Sequence, residues 1–500
     1  MNFPGVVDLS MTETATERFA ISVRWLVGIW IALLIGFLAI TLPNLALWPT
    51  LFQDEMQIID YGRVFLDPST DWSMGWLVHE SAPMTSMAYL GVALQELAYL
   101  AGSPSILGAR MSSVLGAVLA SSLLLGWLRA RNTPALVALV LSLAFLLNPI
   151  FNESYRQGRV DSWAFVCFFA AAWLLREGTR SLPMNGRARL LLFLSGVFAG
   201  LSLYIWPSSL SLMPLLLVEL IVAVWIAAGG GAGKSFGQSV RVAVPIALGG
   251  LVTTGLLALP ILLDLSTYLR NLEYAVEVQK YAASIQRPLL DLYNVYDPWL
   301  IPLALLSLLL PRNWPYVPAI GIALLMMYQT MVYPMRLLYL LPYLMVIMAG
   351  ALTWVVQDRT APRRQLVIVL ALALMVGGNV WVSAWQRPHL AVSQAEARSP
   401  AQFDEQLRSS IGAGEFRVLT TEWEIYYAAR ALGWKTYYLF GKKRKADSEF
   451  TDFLARMDYA IIRNDFAFAK PVVERDLRSN GFEEHAIITF AKRPVDAERA

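Results

Sequence analysis

Apolar runs of about 20 residues recur through the first 385 positions of the chain, and each is long enough to cross the roughly 30 Å of hydrocarbon in a bilayer. We therefore predict a polytopic α-helical membrane protein with about eleven spans and additional surface helices. The predicted spans cover about 23–43, 104–128, 134–151, 159–176, 188–204, 208–228, 241–263, 297–311, 315–332, 335–356 and 365–385.

One apolar stretch, about 83–101, is short and is interrupted by Gln95 and Glu96, so it could be a span or a helix on the membrane surface. A surface position puts about 14 Lys and Arg residues on the cytoplasmic side against about 8 outside, whereas a span reverses that bias. The positive-inside rule thus favours a surface helix, a cytoplasmic N-terminus and an external C-terminus.

Two external loops then follow, at about 44–103 and 264–297, within a transmembrane domain of residues 1–388. Beyond a linker, short β-like runs alternate with helical ones, which predicts a small extracytoplasmic α/β domain at 389–500. Its first strand is not followed by a glycine-rich phosphate loop, and we expect neither a nucleotide nor a nucleic acid as partner.

Composition agrees with a membrane protein: the 500 residues are 57% hydrophobic and 15% charged, with a mean hydropathy of +0.51. Soluble domains carry about 25% charged residues, so a soluble protein is excluded. The net charge of +3 adds little, because the position of each charge matters more here than the total.

The acidic pair Asp54 and Glu55 lies about a dozen residues beyond the first span, where the chain leaves the bilayer. Carboxylates there are costly to desolvate and usually face water or substrate. A carboxylate can take or orient the proton of an attacking hydroxyl, which makes both residues candidates for catalysis. The alternative is that they begin a solvated helix.

A second candidate segment, 154–165, places Arg159 and Asp161 at the entry to a later span, in the same external layer as the acidic pair. These two could instead form only a local pair at a helix end. Arginine side chains suit phosphate oxygens, so external arginines are candidates for holding a lipid phosphate. The donor-phosphate candidates are Arg63, Arg159, Arg270, Arg287 and Arg336, and the candidates for substrate contacts are His79, Glu80 and Tyr333.

Four segments resemble the C-type (GT-C) integral-membrane glycosyltransferases, and in particular the lipid A aminoarabinose transferases and protein O-mannosyltransferases. In chain order they are QDEMQIIDYGRVFL, the apolar surface stretch that begins APMTSMAYLG, NESYRQGRVDSWAF and YPMRLLYLLPYL. One position departs from the pattern: Ala82 precedes Pro83 where the aminoarabinose transferases have a lysine.

The resemblance implies an inverting transfer from a polyprenyl-phosphate sugar, with Asp54 as catalytic carboxylate, Asp161 assisting and Arg159 close by. The acceptor would be an extracytoplasmic glycan, lipid or protein, and the location a bacterial inner membrane. No cofactor is certain. A divalent cation, Mg²⁺ or Mn²⁺, is left open because a carboxylate pair can bind one.

Two other classes of protein fit the same pattern. A transporter or flippase for a lipid-linked sugar would use the acids for binding or proton relay. Such proteins often contain internal repeats, and none is visible in this sequence. A wall-polymer polymerase or ligase would instead use external arginine and histidine residues.

Overall fold

The computed structural model describes most of the bundle and part of the C-terminal region. The described residues are 22–43, 45–46, 49, 53–67, 88–102, 105–180, 184–227, 232–270, 272, 300–327, 334–357, 376–379, 381, 400–438, 452–462, 477–479 and 481–483. Within these ranges, six helices are long and apolar enough to cross a membrane, or seven if one bent helix pair counts as a span. The chain is therefore a multi-pass membrane protein.

The helices are numbered in chain order, and three 3₁₀ segments interrupt them. They are α1 Val23–Thr41, α2 Gln53–Leu66, α3 Tyr89–Ala101, α4 Ile106–Ala130, α5 Ala135–Leu147, α6 Pro149–Arg156, α7 Asp161–Arg180, α8 Gly186–Ile205, α9 Met213–Ala227, α10 Ala232–Leu263, α11 Leu300–Leu308, α12 Tyr316–Met327, α13 Leu341–Gln357, α14 Pro400–Ile411 and α15 Trp423–Ala431. The 3₁₀ segments are Pro207–Leu212, Pro311–Asn313 and Pro334–Leu340.

The centre of the bundle is a row of four helices in which α7 packs between α4 and α8, and α8 packs on α10. Close approach within this row depends on small residues, as it does in many membrane helix pairs. A Cβ atom at Gly196 of α8 would lie 1.9 Å from the carbonyl oxygen of Ile246 in α10, so only glycine fits there. The helix α1, by contrast, leaves most of its apolar surface uncovered, as expected for contact with lipid.

A bend of 54° separates α5 from α6. Pro149 is the first residue of α6, and the side chain of Asn148 caps that helix by accepting from the backbone N–H of Ile150 at 3.2 Å. The predicted span at 134–151 therefore includes a break that the apolar pattern did not reveal. The bend turns α6 across the end of the bundle and leads the chain into α7.

One end of the bundle is tied together by Glu219 of α9, which is fully buried. Its carboxylate accepts from Arg176 of α7 at 2.7 Å and from the hydroxyl of Tyr316 in α12 at 2.7 Å, and it is also paired with Arg131. The indole N–H of Trp127 in α4 also donates to this carboxylate, at 3.3 Å. Breaking a buried ion pair typically costs about 3–5 kcal/mol, so this cluster joins four helices, α4, α7, α9 and α12, firmly.

The predicted count of about eleven spans is not shown in the described residues. Within the predicted spans at 297–311 and 315–332, the described residues form helices of 9 and 12 residues, and 297–299 and 328–332 lie outside the described ranges. The predicted span at 159–176 corresponds to α7, which ends in Arg176, Glu177 and Arg180 and falls outside the six apolar helices. Most of 365–385 lies outside the described residues.

The predicted surface helix at 83–101 corresponds in part to α3, which has 13 residues and is too short to cross a bilayer. It packs extensively on α2, so the two helices form one layer at the end of the bundle.

The described C-terminal residues form three parallel strands of a sheet in the order β2-β1-β3. These are β1 at Arg417–Thr420, β2 at Lys435–Tyr438 and β3 at Tyr459–Ile461. The helix α15 connects β1 to β2, as the alternation of strand and helix patterns predicts. Leu407 of α14 and Ile425 of α15 pack in one cluster with Val418 of the sheet. That 389–500 is a separate domain outside the membrane stays a prediction.

Candidate functional site

Asp54 lies in the first turn of α2, and its side chain is 33% exposed. Arg159 donates from Nη1 to Oδ2 of this carboxylate. Among the described residues, Oδ1 of Asp54 has no hydrogen-bond partner. The carboxylate is thus held at one oxygen and open at the other.

Glu55 lies on a different side of the same helix, since adjacent helical residues point about 100° apart. Its side chain is fully buried and accepts two hydrogen bonds from Arg110 of α4, from Nε at 2.8 Å and from Nη2 at 2.9 Å. The remaining Nη1 of Arg110 donates to the carbonyl oxygen of Leu45 at 2.8 Å. This pair attaches the start of α2 to the bundle.

Gly158 forms the turn between α6 and α7 with a φ of +65°, a conformation that other residues adopt only with strain. A Cβ atom at this position would lie 3.0 Å from Oε1 of Glu55. The next residue, Arg159, is held through its carbonyl oxygen, which accepts from Ser113 of α4 at 2.7 Å. The turn therefore brings Arg159 close to the start of α2.

Asp161 begins α7 and is fully buried. Its Oδ2 accepts from Nε of Arg159 at 2.8 Å and from the hydroxyl of Ser154 at 3.1 Å, while Oδ1 accepts from the hydroxyl of Tyr339 at 2.7 Å. Because both oxygens have partners, this carboxylate holds the guanidinium group of Arg159 in place.

Arg336 belongs to the 3₁₀ segment before α13 and donates to the hydroxyl of Ser208, in the turn between α8 and α9. In the part of the chain that the structure describes, it forms no ion pair. It lies near enough to Arg159 for the two positive charges to repel each other. The ring centre of Trp206, from the same turn, lies 5.9 Å from the guanidinium carbon of Arg159. Two cations therefore lie close enough to Asp54 to interact with its charge, and one of them, Arg336, forms no direct salt bridge within the described ranges.

The structure does not bring every predicted residue to this cluster. Arg63 lies about 13 Å from Asp54 along the helix axis and pairs with Asp60 at 2.7 Å. Arg270 follows α10 and donates to the hydroxyl of Thr267 at 3.0 Å. The predicted residues His79, Glu80, Arg287 and Tyr333 lie outside the described residues.

Several residues of this site were not among the predicted ones. Arg110 carried a usable signal, because a charge inside an apolar run commonly marks a function or a buried pair. Tyr339 has the sequence context of an interfacial aromatic residue. Ser154, Trp206 and Ser208 carried no signal of this kind, since such residues are common at helix ends.

Within the described residues, no three His, Cys, Asp or Glu side chains are close enough to hold a metal ion. Asp161 already accepts three hydrogen bonds, and Oδ2 of Asp54 is bonded to Arg159. The remaining oxygen of Asp54 is the one carboxylate oxygen of this pair that could contribute to a divalent cation.

No protein-family model matches this chain, and no curated protein sequence matches it significantly. Solved structures do match. The crystal structure of ArnT from Cupriavidus metallidurans in the apo state aligns with 89% of this chain and 95% of that chain, with a TM-score of 0.53 and 14% sequence identity. A crystal structure of the Archaeoglobus fulgidus oligosaccharyltransferase, tethered to an acceptor peptide that contains the NVT sequon, aligns with 83% of this chain and 64% of that chain, with a TM-score of 0.45 and 13% identity. The likeness to the first of these structures shows that the chain shares the fold of that ArnT.

Proposed function

We propose that this protein is a membrane glycosyltransferase that moves a sugar from a polyprenyl-phosphate donor to an extracytoplasmic glycan, lipid or protein. The observation that supports this best is the contrast among three predicted acids. Asp161 and Glu55 are buried and fully engaged, whereas Asp54 is 33% exposed with one oxygen open beside two arginines. A transferase that attacks an anomeric carbon next to an anionic leaving group needs this combination of charges.

In the proposed reaction, a hydroxyl of the acceptor donates a hydrogen bond to Oδ1 of Asp54. The acceptor oxygen attacks the anomeric carbon from the side opposite the phosphate, and the bond between that carbon and the phosphate oxygen breaks. The proton passes to Asp54, and the electron pair leaves with the polyprenyl phosphate, so the anomeric configuration inverts. Arg159 and Arg336 stabilise the departing phosphate, as guanidinium groups do at phosphate sites.

The other acids have supporting roles in this proposal. Asp161 and Tyr339 orient Arg159 toward Asp54, and Glu55 anchors the start of α2 through Arg110. Arg63 and Arg270 take no direct part in this mechanism.

We place this end of the bundle on the outside of a bacterial inner membrane, with the N-terminus in the cytoplasm. This orientation follows the distribution of Lys and Arg among the loops. It puts the Glu219 cluster at the cytoplasmic end and the C-terminal sheet outside, where it can help to hold the acceptor. A donor carried by a lipid fits this placement because nucleotide sugars stay in the cytoplasm.

The test is an activity assay with purified protein and a polyprenyl-phosphate sugar, in which free polyprenyl phosphate and the transferred sugar are both measured. We expect Asp54→Asn to lower kcat by at least about 100-fold, the scale of general acid–base catalysis, while the protein remains folded and inserted. Asp67→Asn is the matched control, because Asp67 is exposed immediately after α2 and should tolerate the same substitution.

Wild-type activity in Asp54→Asn would contradict the assignment of the catalytic residue. Movement of the intact donor across vesicle membranes, without release of polyprenyl phosphate, would contradict the proposed sugar transfer itself. That outcome would identify a transporter. Assays with and without a chelator would decide whether Mg²⁺ or Mn²⁺ takes part.

A further inference from the structure

A network of charged groups joins the C-terminal unit to the helix that carries Asp54. It begins at Glu96 of α3, which accepts from Arg430 of α15 in two hydrogen bonds, at 2.6 and 3.1 Å. Nη1 of Arg430 lies 3.4 Å from the hydroxyl of Tyr426, and that hydroxyl donates to Oδ1 of Asp60 at 3.0 Å. The same oxygen accepts from Arg63 at 2.7 Å, so the network ends on α2.

The network is balanced in charge, with two carboxylates and two guanidinium groups. Asp60 is 1% exposed and Tyr426 is fully buried. Burial, and then the charge of Asp60, raises the pKa of Tyr426, so its hydroxyl stays protonated and can donate. Buried hydrogen bonds to charged groups are among the stronger ones in proteins, and their geometry is directional.

Aromatic side chains surround the same contact. The guanidinium carbon of Arg430 lies 4.5 Å from the ring centre of Tyr99 in α3, and that of Arg63 lies 5.3 Å from the ring centre of Tyr437 in β2. Met56 of α2 packs in one cluster with Tyr426. The contact therefore has both an apolar core and a polar network that fixes its register.

Asp54 lies about 1.7 turns before Asp60 on α2, or about 9 Å along the helix. A rotation or shift of this helix would move the open carboxylate oxygen directly. The pair of Glu55 and Arg110 holds the start of α2 on the bundle side, and the network holds its middle on the side of the C-terminal unit. With both attachments present, the helix is held at two points about 7.5 Å apart along its axis.

We propose that Tyr426 and Arg430 are positioning residues for Asp54, so that the C-terminal unit takes part in setting the geometry of the active site. The expected effect on kcat rests on the proposed transferase function. The attachment of α2 to the C-terminal unit rests on the described contacts alone. We expect the C-terminal unit to control how fast bound substrates react. Donor affinity should depend on it much less, because the described contacts of Arg159 and Arg336 include no group of the network.

The experiment compares Tyr426→Phe with Tyr427→Phe in the full-length protein. Tyr427 is the adjacent residue of the same helix and is 8% exposed, and its hydroxyl has no hydrogen-bond partner among the described residues. Both substitutions remove one buried hydroxyl group, but only the first breaks the network. Hydrogen–deuterium exchange of the α2 amides and the values of kcat and donor KM are measured for each.

For Tyr426→Phe, we expect exchange in residues 53–66 to rise about tenfold, which corresponds to about 1.4 kcal/mol. We expect kcat to fall by a similar factor while donor KM stays within twofold. Tyr427→Phe should leave the exchange of α2, kcat and donor KM unchanged. Arg430→Lys keeps the charge but cannot form both hydrogen bonds to Glu96 in the same geometry. Its α2 exchange rate and its kcat should lie between those of wild type and those of Arg430→Met.

Two exchange results would overturn the inference: unchanged exchange in α2 for Tyr426→Phe, or exchange raised equally across the C-terminal sheet, which would indicate unfolding of that unit. A lower kcat in Tyr427→Phe equal to that in Tyr426→Phe would overturn it as well. Failure of the proposed function is seen separately, because a wild-type protein that transfers no sugar still gives the exchange result.

Discussion

Glu55 and Asp54 are adjacent acids, but we expect Glu55 to stabilise the fold and Asp54 to act in the reaction. Substitution of Glu55 tests this difference directly. Glu55→Gln keeps the size of the side chain but removes its charge, leaving the guanidinium group of Arg110 buried without a counter-ion. The amide oxygen of glutamine can accept one of the two hydrogen bonds, and Leu45 still accepts a third. The loss is therefore mainly electrostatic.

The magnitude follows from burial. Both partners are 0% exposed, and removal of one partner of such a pair typically costs about 3–5 kcal/mol. A net stability of about 5–15 kcal/mol is usual for soluble domains, so the variant should lose a large fraction of its stability. By comparison, Asp54→Asn breaks a pair whose carboxylate is 33% exposed, and we expect a loss of no more than about 1 kcal/mol.

The assay is denaturant unfolding in detergent, together with sugar transfer per folded molecule. Glu55→Gln should be much less stable, and kcat in the folded fraction should fall by no more than about tenfold, because Glu55 positions α2 but does not touch the substrate. That loss is well below the roughly 100-fold loss expected for Asp54→Asn. The double variant Glu55→Met with Arg110→Met removes both charges and should recover most of the lost stability, since buried pairs can often be replaced by apolar groups of similar volume at little cost.

One result would refute this reasoning. If Glu55→Gln were as stable as wild type but inactive, Glu55 would act in the chemistry, and the roles assigned to the two acids would have to be exchanged. Failure of the double variant to recover stability would also show that the pair is not an isolated anchor.

Two further predictions concern the support of Arg159. Tyr339→Phe removes the hydroxyl that donates to Asp161 and should cost about 1–3 kcal/mol of stability, because it leaves a buried carboxylate oxygen unsatisfied; unfolding measurements check this, and an unchanged stability would count against the contact. Gly158→Ala places a side chain at a φ of +65° and within 3.0 Å of Oε1 of Glu55, so it should cost at least about 1–2 kcal/mol and lower kcat by displacing Arg159; equal stability and kcat for the alanine variant would show that the turn tolerates a side chain.

Much of the membrane architecture was predictable because burial in lipid imposes a length and a composition on each span. The apolar runs at 23–43 and 104–128 correspond to α1 and α4 within a few residues. The bend between α5 and α6 was less predictable, although Asn148 and Pro149 favour a helix start at that point. The predicted spans that contain α11 and α12 stay predictions, because both helices adjoin residues outside the described ranges.

Several residues of the candidate site could be predicted from the sequence, but their contacts with one another could not. Asp54, Arg159 and Asp161 were identified because charged residues at the ends of apolar runs are costly unless they are paired or functional. Arg63 was grouped with them on charge alone, whereas the structure pairs it with Asp60 beside the C-terminal unit. The network through Tyr426 was out of reach, because it joins residues more than 350 positions apart.

The sequence by itself determined that this is a polytopic membrane protein with an acidic pair where the chain leaves its first span. The physical reason is that a segment crossing lipid must be long and apolar, and a charge within it is costly unless it is paired or functional. Only the tertiary structure decided which acid of that pair is open. Adjacent positions on a helix point about 100° apart. The packing of α2 on α3, with a further contact to α15, turns Glu55 inward to Arg110 and leaves one oxygen of Asp54 free.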